Sequence, residues 1–264
     1  MKLVAIGDLH GDLRKLKKIP LKGSDLILVT GDIGKADLVR AMTFENLERE
    51  KQGLPLLEYK PSHIKRAFME IHSSAIRVMK YLSKFAPVYT IFGNVEYTIP
   101  EIKKMNKEHG LDLPYLSKEL DKLPNVRVIN NRIARYNGMR IGGLKYFIDT
   151  SWVKEFRPSN YDEILKKALK ETQAAKKTLN WFSKVDILLC HQPPYGVLDK
   201  VKAKFAPKHW QGKHAGSKTI LNYIRRYKPR FVFSGHIHES VGYKRVDRTE
   251  VYNLGYAGYK VLEL

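Results

Sequence analysis

The sequence predicts an α/β fold in which two mixed β-sheets pack together and helices cover them on the outside. Two observations predict it: short apolar runs alternate with amphipathic segments, as in crossover units, and hairpin-like blocks interrupt that alternation. The chain shows no internal repeat and no linker rich in proline, glycine or serine. We therefore expect residues 1–264 to form one fairly large domain.

Five apolar runs are predicted to be buried strands because they are apolar on both faces. They are residues 3–7, 26–30, 88–92, 187–190 and 231–234. From Pro61 to Phe85 apolar residues recur three or four positions apart, which predicts a helix with one buried face. The same reasoning predicts helices near residues 12–18, 162–183 and 217–227.

Two further blocks have the pattern of hairpins. The first holds short runs at residues 126–129, 132–136 and 139–144. The dipeptide Asn137-Gly138 between the last two runs indicates a tight turn, since both turn positions need positive φ. The tail repeats this style, with strands predicted at residues 241–246, 250–253 and 259–262.

Three segments lack a clear pattern, namely residues 34–60, 150–161 and 196–216. We expect them to be long connections, where function tends to concentrate, or to be partly disordered. The last of them contains a basic stretch with five lysines, Lys200, Lys202, Lys204, Lys208 and Lys213. Three ring-bearing residues, Phe205, His209 and Trp210, are interleaved with these lysines. This mixture suits phosphate attraction and base stacking, although a solvated loop anchored to the core by its tryptophan explains it as well.

The composition excludes several classes of protein. With 43% hydrophobic and 28% charged residues the chain can bury a core, so it is not wholly disordered. Its longest apolar stretches are far too short for a bilayer span, and Asp8 comes too early for a signal peptide. Because Cys190 is the one cysteine, no internal disulfide can form. We expect a cytoplasmic protein with no membrane partner.

The charge balance favours an anionic partner. The 48 Lys and Arg residues outnumber the 27 Asp and Glu residues, which gives a formal net charge of +21. Such a field would attract nucleic acid, an anionic surface or a small phosphorylated substrate. A thermophilic surface would explain the abundance of lysine but not the shortage of acids.

Polar residues of unusual chemistry follow each of the five predicted buried strands. In open α/β sheets ligands bind beyond the carboxyl ends of the strands, so these ends would gather one group of side chains. The group consists of Asp8, His10, Asp32, Asn94, His191, His236 and His238. Residues two apart on an extended segment project to the same side, so each Asp-x-His or His-x-His pair can hold a common centre.

This set of side chains is suited to metal ions. Carboxylate, amide and imidazole ligands favour Mn²⁺, Fe, Zn²⁺ or Ni²⁺ over Ca²⁺. Seven ligands exceed what one ion takes, whereas two ions that share a bridging carboxylate would use them all. Each residue alone has an ordinary structural explanation: Asp8 could cap a helix, and a single histidine at a strand end is more often structural than a ligand. Their combination in this order favours the metal site.

At these residues the sequence resembles the calcineurin-like metallophosphoesterases. The signatures of that family run Asp-x-His, Gly-Asp, Gly-Asn-His-Asp/Glu, His and Gly-His-x-His, and corresponding blocks occur here in order from Asp8 to His238. The segments beginning at His191, His214 and Gly235 look like the branch of predicted phosphoesterases related to the bacterial cyclic-AMP phosphodiesterase.

The resemblance implies a four-layer α/β/β/α sandwich and a dinuclear metal centre, with Mn²⁺ the most expected ion. One metal would take Asp8, His10 and His238, and Asp32 would bridge to the other. The second metal would take Asn94, His191 and His236. The implied reaction is hydrolysis of a small phosphoester or nucleotide, diesters above monoesters, by in-line attack of a hydroxide held between the ions. No nucleophilic serine or cysteine is required.

The third block departs from the family pattern. It reads Gly93-Asn94-Val95-Glu96, so Val95 stands where the family carries the histidine thought to protonate the leaving group. This predicts a preference for diesters or activated leaving groups. His214 is a candidate substitute acid, although it could equally be a packing or surface residue. Glu96 and Glu239, which follow ligand blocks, either orient ligand imidazoles or face solvent.

Two other functions remain open. A nuclease would share these motifs, and the net charge would help it to hold DNA or RNA. Related repair nucleases usually carry a further capping domain and the motif histidine, and the sequence shows neither. The other alternative is a non-catalytic metal-binding scaffold, which we would expect to lack some of the metal ligands. All seven are present.

Overall fold

The computed structural model describes residues 1–203 and 208–264, and the structural statements below concern these residues. Lys204 and Phe205 of the basic stretch lie outside them. The strands are β1 (Lys2–Ile6), β2 (Leu26–Val29), β3 (Val88–Thr90), β4 (Val126–Val128), β5 (Arg132–Tyr136), β6 (Met139–Leu144), β7 (Ile187–Cys190), β8 (Phe231–Ser234), β9 (Gly242–Val246), β10 (Thr249–Asn253) and β11 (Tyr259–Glu263). The helices are α1 (Leu13–Leu16), α2 (Asp37–Lys51), α3 (Pro61–Leu82), α4 (Ile99–His109), α5 (Leu116–Asp121), α6 (Thr150–Phe156), α7 (Tyr161–Phe182) and α8 (Lys218–Tyr227).

The strands form two mixed sheets. The first has the order β11-β1-β2-β3-β4, in which β1 to β4 are parallel and β11 pairs antiparallel with β1. The second has the order β5-β6-β7-β8-β10-β9, in which β6, β7, β8 and β10 are parallel and the two edge strands are antiparallel. The carboxyl ends of β1, β2 and β3 therefore share one edge, and those of β7 and β8 share another.

Alternating side chains of the buried strands face different layers, because successive residues of a strand point to opposite faces of the sheet. In β1, Leu3 and Ala5 pack into the core between the two sheets, together with Ile187 and Phe233 of the second sheet. Val4 and Ile6 belong instead to the core beneath α3.

The second sheet is covered in the same way on its outer face. Leu188 and Val232 pack against Phe182 of α7 and Ile220 of α8. The two outer cores and the core between the sheets together give the predicted four-layer α/β/β/α sandwich, which is confirmed.

The predicted strands and long helices are present, and their bounds differ by a few residues. Asn137 and Gly138 form the predicted turn, with φ angles of 44° and 77°. One grouping was wrong: β4 does not join the hairpin of β5 and β6, because it pairs parallel with β3 in the first sheet. The turn dipeptide specifies only the pairing of β5 with β6. Because it does not specify a pairing of β4 with β5, the chain can pass from the first sheet to the second between these strands.

Two of the segments without a pattern contain helices. The segment 34–60 holds α2, in which no residue is buried, and 150–161 holds α6. A helix that buries no side chain has no apolar stripe, which is why periodicity did not reveal α2. The sequence reasoning also missed α4 and α5. Among the described residues no helix combines the length and apolarity that crossing a membrane requires.

Asp149 links the two segments that border the second sheet at its carboxyl edge. Its side chain is buried, caps α6 by accepting from the Ser151 backbone N–H at 2.8 Å, and accepts from the Ser217 hydroxyl at 2.6 Å and the Thr219 N–H at 3.2 Å. Ser217 in turn caps α8 through the N–H of Ile220. One carboxylate therefore fixes the starts of two helices.

We predict that Asp149→Ala lowers the free energy of unfolding by about 2–4 kcal/mol at pH 7, because several buried donors lose their acceptor. Burial tends to raise the pKa of Asp149, but the hydrogen bonds hold it below its ordinary value. The contribution should thus be complete above about pH 5 and be lost as the pH falls through the lowered pKa.

Urea unfolding at several pH values measures this loss. Asp162→Ala is the matched control, since Asp162 is exposed in the first turn of α7. Equal effects of the two substitutions at pH 7 would contradict the role of Asp149.

Candidate metal centre

The side chains predicted to bind metal meet where strands of both sheets end. Asp8 follows β1 and Asp32 follows β2 in the first sheet, whereas His191 follows β7 and His236 follows β8 in the second. Asp8, Asp32 and His191 are almost completely buried. The site therefore lies across the junction of the two sheets.

Asp8 contacts residues of both sheets. Its Oδ1 accepts from the Thr30 hydroxyl at 3.1 Å and lies 3.7 Å from Nδ1 of His191. Its Oδ2 accepts from the backbone N–H of His236 at 2.5 Å and lies 3.0 Å from Nε2 of His238. The Asp8 carboxylate thus reaches three of the predicted histidine ligands or their backbone.

Asp32 and Asn94 lie on either side of His191. Nε2 of His191 is 3.5 Å from Oδ1 of Asp32 and 2.8 Å from Oδ1 of Asn94. Nδ1 of His191 lies 2.9 Å from the carbonyl oxygen of Thr30, which can only accept, so Nδ1 donates to it. Nε2 faces the oxygens of Asp32 and Asn94 and is the nitrogen placed to bind a metal ion.

His10 faces Asp32 and Arg40. Its Nε2 is 3.8 Å from Oδ2 of Asp32, and its ring nitrogens lie 3.2 and 3.3 Å from one guanidinium nitrogen of Arg40. Arg40 belongs to α2, a helix that the sequence did not reveal, and sequence reasoning therefore missed this residue.

Two trios of residues could each hold a metal ion, because within each trio the potential ligand atoms all lie within 4.8 Å of one another. The first is Asp8, His10 and His238, which is the trio that the family resemblance implies for one ion. The second is Asp8, Asp32 and His191. His236 belongs to neither trio, but its ring centroid lies 4.9 Å from that of His191. The structure thus gathers all seven predicted ligands around the two carboxylates.

The backbone is strained at three of these residues. His10, Asp32 and His236 have φ angles of 42°, 43° and 67°, in the left-handed region that residues other than glycine rarely adopt. Such strain persists where the surroundings fix it and is typical of functional sites. Gly235 allows the Asp8 carboxylate to lie close to the backbone that follows β8, because a Cβ added at Gly235 would overlap that carboxylate.

The electrostatics of the site suit a divalent cation. Burial and the neighbouring charge of Asp8 raise the pKa of Asp32 to about 8. Burial opposes ionisation of Asp8 as well, but the charge of His191 and the hydrogen bond from His238 hold its pKa below the ordinary value. Burial lowers the pKa of His10 to about 4 and that of His236 to about 3, so both imidazoles are neutral. Neutral imidazoles beside two mutually repelling carboxylates fit divalent ions of the borderline class.

Glu96 has a role that neither interpretation of the sequence gave it. It is buried and accepts from the backbone N–H groups of Asp32 at 3.1 Å and Gly93 at 2.9 Å. It also accepts from the N–H groups of Ile33 and Gly34 at 2.7 and 3.1 Å. Burial and the nearby Asp32 charge raise its pKa to about 7. Glu96 therefore holds the backbone that carries Asp32 and does not orient an imidazole through these bonds.

Glu239 also binds backbone. Its Oε1 accepts from the N–H groups of Lys202 and Ala203 at 3.0 and 3.1 Å. This contact ties the basic segment to the residue that follows His238. The segment is further held by Trp210, which packs on Phe156 with ring centroids 5.1 Å apart.

Three other residues singled out in the sequence have contacts that the structure defines. Val95 packs with Ala36 and Ile71, and its backbone N–H donates to Oδ1 of Asp32 at 2.9 Å. The Nδ1 of His214 lies 2.7 Å from Oδ1 of the buried Asp199. Cys190 is fully buried and burial raises the pKa of its thiol, as expected of a small core residue.

Two cavities open beside the metal centre, and Arg40 and His238 line both. The smaller has a volume of about 490 Å³, and its lining adds the cationic Arg14 and Lys35 and the acidic Asp12 and Asp37. The larger has a volume of about 1090 Å³ and reaches Asp32, Asn94, His236 and a set of aromatic side chains, namely Phe44, Tyr146, Trp152, Phe156 and Trp210.

We predict that Glu96→Gln weakens binding of divalent metal about 10–100-fold, because an amide accepts on one side only and leaves backbone N–H groups near Asp32 without an acceptor. Calorimetric titration with Mn²⁺ measures the affinity. Glu108→Gln, at an exposed position of α4, is the control. An affinity equal to that of the control would show that the Asp32 backbone does not depend on Glu96.

Comparison with solved structures shows the same fold in another protein and gives two weaker likenesses. One crystal structure matches 99% of this chain and 98% of its own, with a TM-score of 0.56 and 16% sequence identity. TT1561 of Thermus thermophilus matches over 97% of this chain and 89% of its own, with a TM-score of 0.45 and 16% identity. A dimetal phosphatase from Danio rerio matches over 97% and 87%, with a TM-score of 0.46 and 12% identity.

The sequence comparisons give the family. Among curated proteins, no sequence matches this chain significantly. The family model for calcineurin-like phosphoesterases, in contrast, matches residues 1–240, which is most of the chain and includes all seven predicted ligands. The chain therefore belongs to the calcineurin-like phosphoesterases.

Proposed function

We propose that the protein is a phosphodiesterase with a dinuclear metal centre, acting on a nucleotide-like or other small phosphodiester. The observation that supports this proposal is the pair of ligand trios that share the Asp8 carboxylate. A pair of trios on adjoining carboxylates suits two ions better than one, since one ion does not take seven ligands. Membership of a family of metal-dependent phosphoester hydrolases supports the same chemistry.

The residues would divide between the two ions as the family resemblance implies. Asp8, His10 and His238 would hold one ion, and Asn94, His191 and His236 the other, with Asp32 between them. Mn²⁺ is the ion we propose first, and Fe, Zn²⁺ and Ni²⁺ suit the same ligands. When bound, two such cations neutralise charge on the phosphoryl group and acidify the attacking water.

The reaction adds water across one P–O ester bond. The water oxygen bonds to phosphorus, the bond to the leaving oxygen breaks, and the products are a phosphomonoester and an alcohol. The leaving oxygen needs a proton unless it is a stable anion. Val95 offers no proton, and its side chain packs away with Ala36 and Ile71, which supports a preference for diesters with good leaving groups.

We predict that purified protein loaded with Mn²⁺ contains two ions per chain and hydrolyses a bis-aryl phosphate faster than an aryl monophosphate. Asp32→Ala should lower turnover at least about 1000-fold, because it removes the ligand placed between the ions. Elemental analysis gives the stoichiometry, and release of the aryl alcohol gives the rate. Asp121→Ala, at an exposed acid of α5, is the control.

The same assay tests the alternatives when it includes a cyclic nucleotide and single-stranded DNA. Cleavage of the DNA in preference to small diesters would favour a nuclease, which the net charge of +21 supports. Two bound ions without turnover of any ester would favour a metal-binding scaffold. One bound ion or none would contradict the dinuclear proposal.

His214 is proposed as the acid that replaces the missing motif histidine. Its Nδ1 faces the buried Asp199 carboxylate at 2.7 Å, an arrangement that fixes the ring and leaves Nε2 free. The next residue, Ala215, lines the larger cavity. His214 itself is not among the described residues that line it.

If His214 donates a proton, His214→Ala should remove the basic limb of the pH–rate profile with an alkyl leaving group and leave a nitrophenyl leaving group unaffected. His209→Ala, at an exposed histidine of the same segment, is the control. A profile of His214→Ala that matches the wild type for both leaving groups would remove this hypothesis.

A further inference from the structure

The larger cavity joins the metal centre to an aromatic chamber. Its lining includes four of the predicted ligands, Asp32, Asn94, His236 and His238. Apart from Arg40 and Glu239, the rest of its described lining is aromatic and aliphatic. Its volume of about 1090 Å³ lies slightly above the usual range for small-molecule sites, about 300–1,000 Å³. A group attached to a phosphoryl group at the metal centre would therefore have space in this chamber.

The aromatic walls are built around Phe156. Its ring stacks on Trp152 with centroids 5.3 Å apart and meets Trp210 edge-on at 5.1 Å. Phe156 packs in one apolar cluster with Val201 and Ile237, which come from different parts of the chain. The described walls are thus a packed unit and not a set of separate exposed rings.

Phe44 of α2 also lines the chamber. It is 55% exposed, although it is a large apolar residue that lines the cavity. Arg40 lies one helical turn before it on the same face of α2 and also lines the cavity. One face of α2 therefore presents a cation near the metal centre and an aromatic ring farther along.

The charge of the walls favours an apolar occupant over a polyanion. Histidines apart, Arg40 is the one cationic side chain among the described residues that line this cavity. The smaller cavity, in contrast, has three cationic side chains, Arg14, Lys35 and Arg40, beside the acidic Asp12 and Asp37. A nucleic-acid strand would need several phosphate contacts along its path, which the larger cavity does not offer in the described residues.

We propose that the aromatic chamber binds an apolar organic group of the substrate, so that the protein acts on amphiphilic phosphoesters. The phosphoryl group lies at the metal centre beside Arg40, and the apolar group it carries fills the space between Phe44, Trp152 and Trp210. This inference rests on the proposed phosphoesterase function for its chemistry. Binding of the apolar group depends only on the chamber and is measured separately.

The tryptophans of the chain provide a direct binding signal. The chain has three, and Trp152 and Trp210 line the chamber while Trp181 is 63% exposed on α7. In Trp181→Phe, every remaining tryptophan lies at the chamber. The probes are octylphosphonate, naphthylphosphonate and methylphosphonate, titrated into Mn²⁺-loaded Trp181→Phe protein while tryptophan fluorescence is recorded.

We expect saturable fluorescence changes with at least one of the two large probes at a concentration about 100-fold below that needed for methylphosphonate, since burial of each methylene group gives about a two- to fourfold gain. A preference for octyl identifies an alkyl chain as the occupant, and a preference for naphthyl identifies a ring. Equal binding of all three probes would overturn the proposal.

A matched pair of α2 variants tests the wall. In the Trp181→Phe background, Phe44→Ala should weaken binding of the preferred large probe about fivefold and leave methylphosphonate unchanged. Leu47→Ala is the control, because Leu47 is 43% exposed on the same helix and is not among the described lining residues. Equal effects of the two variants would contradict the assigned wall.

Hydrolysis separates this inference from the proposed function. A series of 4-nitrophenyl alkyl phosphates should show KM falling as the alkyl chain lengthens, with Phe44→Ala flattening the trend. Selective probe binding without hydrolysis of any ester would support the chamber and refute the phosphoesterase proposal. Hydrolysis with a KM that is independent of chain length, together with unselective probe binding, would refute the chamber alone.

Discussion

The structure depends on two carboxylates, Asp8 and Asp32, held close together in the protein interior. Burial opposes ionisation of Asp32 and the neighbouring charge of Asp8 repels it, so the pKa of Asp32 is raised. His10 and His236 do not relieve this repulsion, because burial holds both imidazoles neutral. A bound divalent cation relieves it, so the features that make this region costly without metal are the ones that favour metal binding.

The position of the site makes the packing of the sheets part of its chemistry. Asp8 belongs to the first sheet, and the His191 ring and His236 backbone that approach it belong to the second. The distances among these groups are therefore fixed by the apolar core between the sheets, in which Ala5 and Phe233 are both buried. A dense core resists small displacements, which gives the ligand atoms a defined spacing before any ion arrives.

The sequence predicted those parts of the molecule that have a local signal. Buried strands have continuous apolar runs, and the polar residues that follow them are adjacent in sequence, so the layers and the candidate ligands could both be read. Glu96 gave no such signal, since its bonds reach Asp32, Ile33 and Gly34, more than sixty residues away. Arg40 gave none because α2 buries no side chain and so lacks an apolar stripe.

The segments without a pattern turned out to supply the walls of the larger cavity. Phe44, Trp152 and Trp210 come from residues 34–60, 150–161 and 196–216, the three stretches that the sequence left unassigned. The residues at strand ends have to match the geometry of metal ions, so their identities are strongly constrained. The connections after the strands have only to shape the space around a bound group, so their sequences are less constrained. This difference explains why the residues at the strand ends indicated the reaction class. The larger cavity, in which we propose that part of the substrate binds, is shaped by α2, α6 and the segment around Trp210, and only the folded chain displays their arrangement.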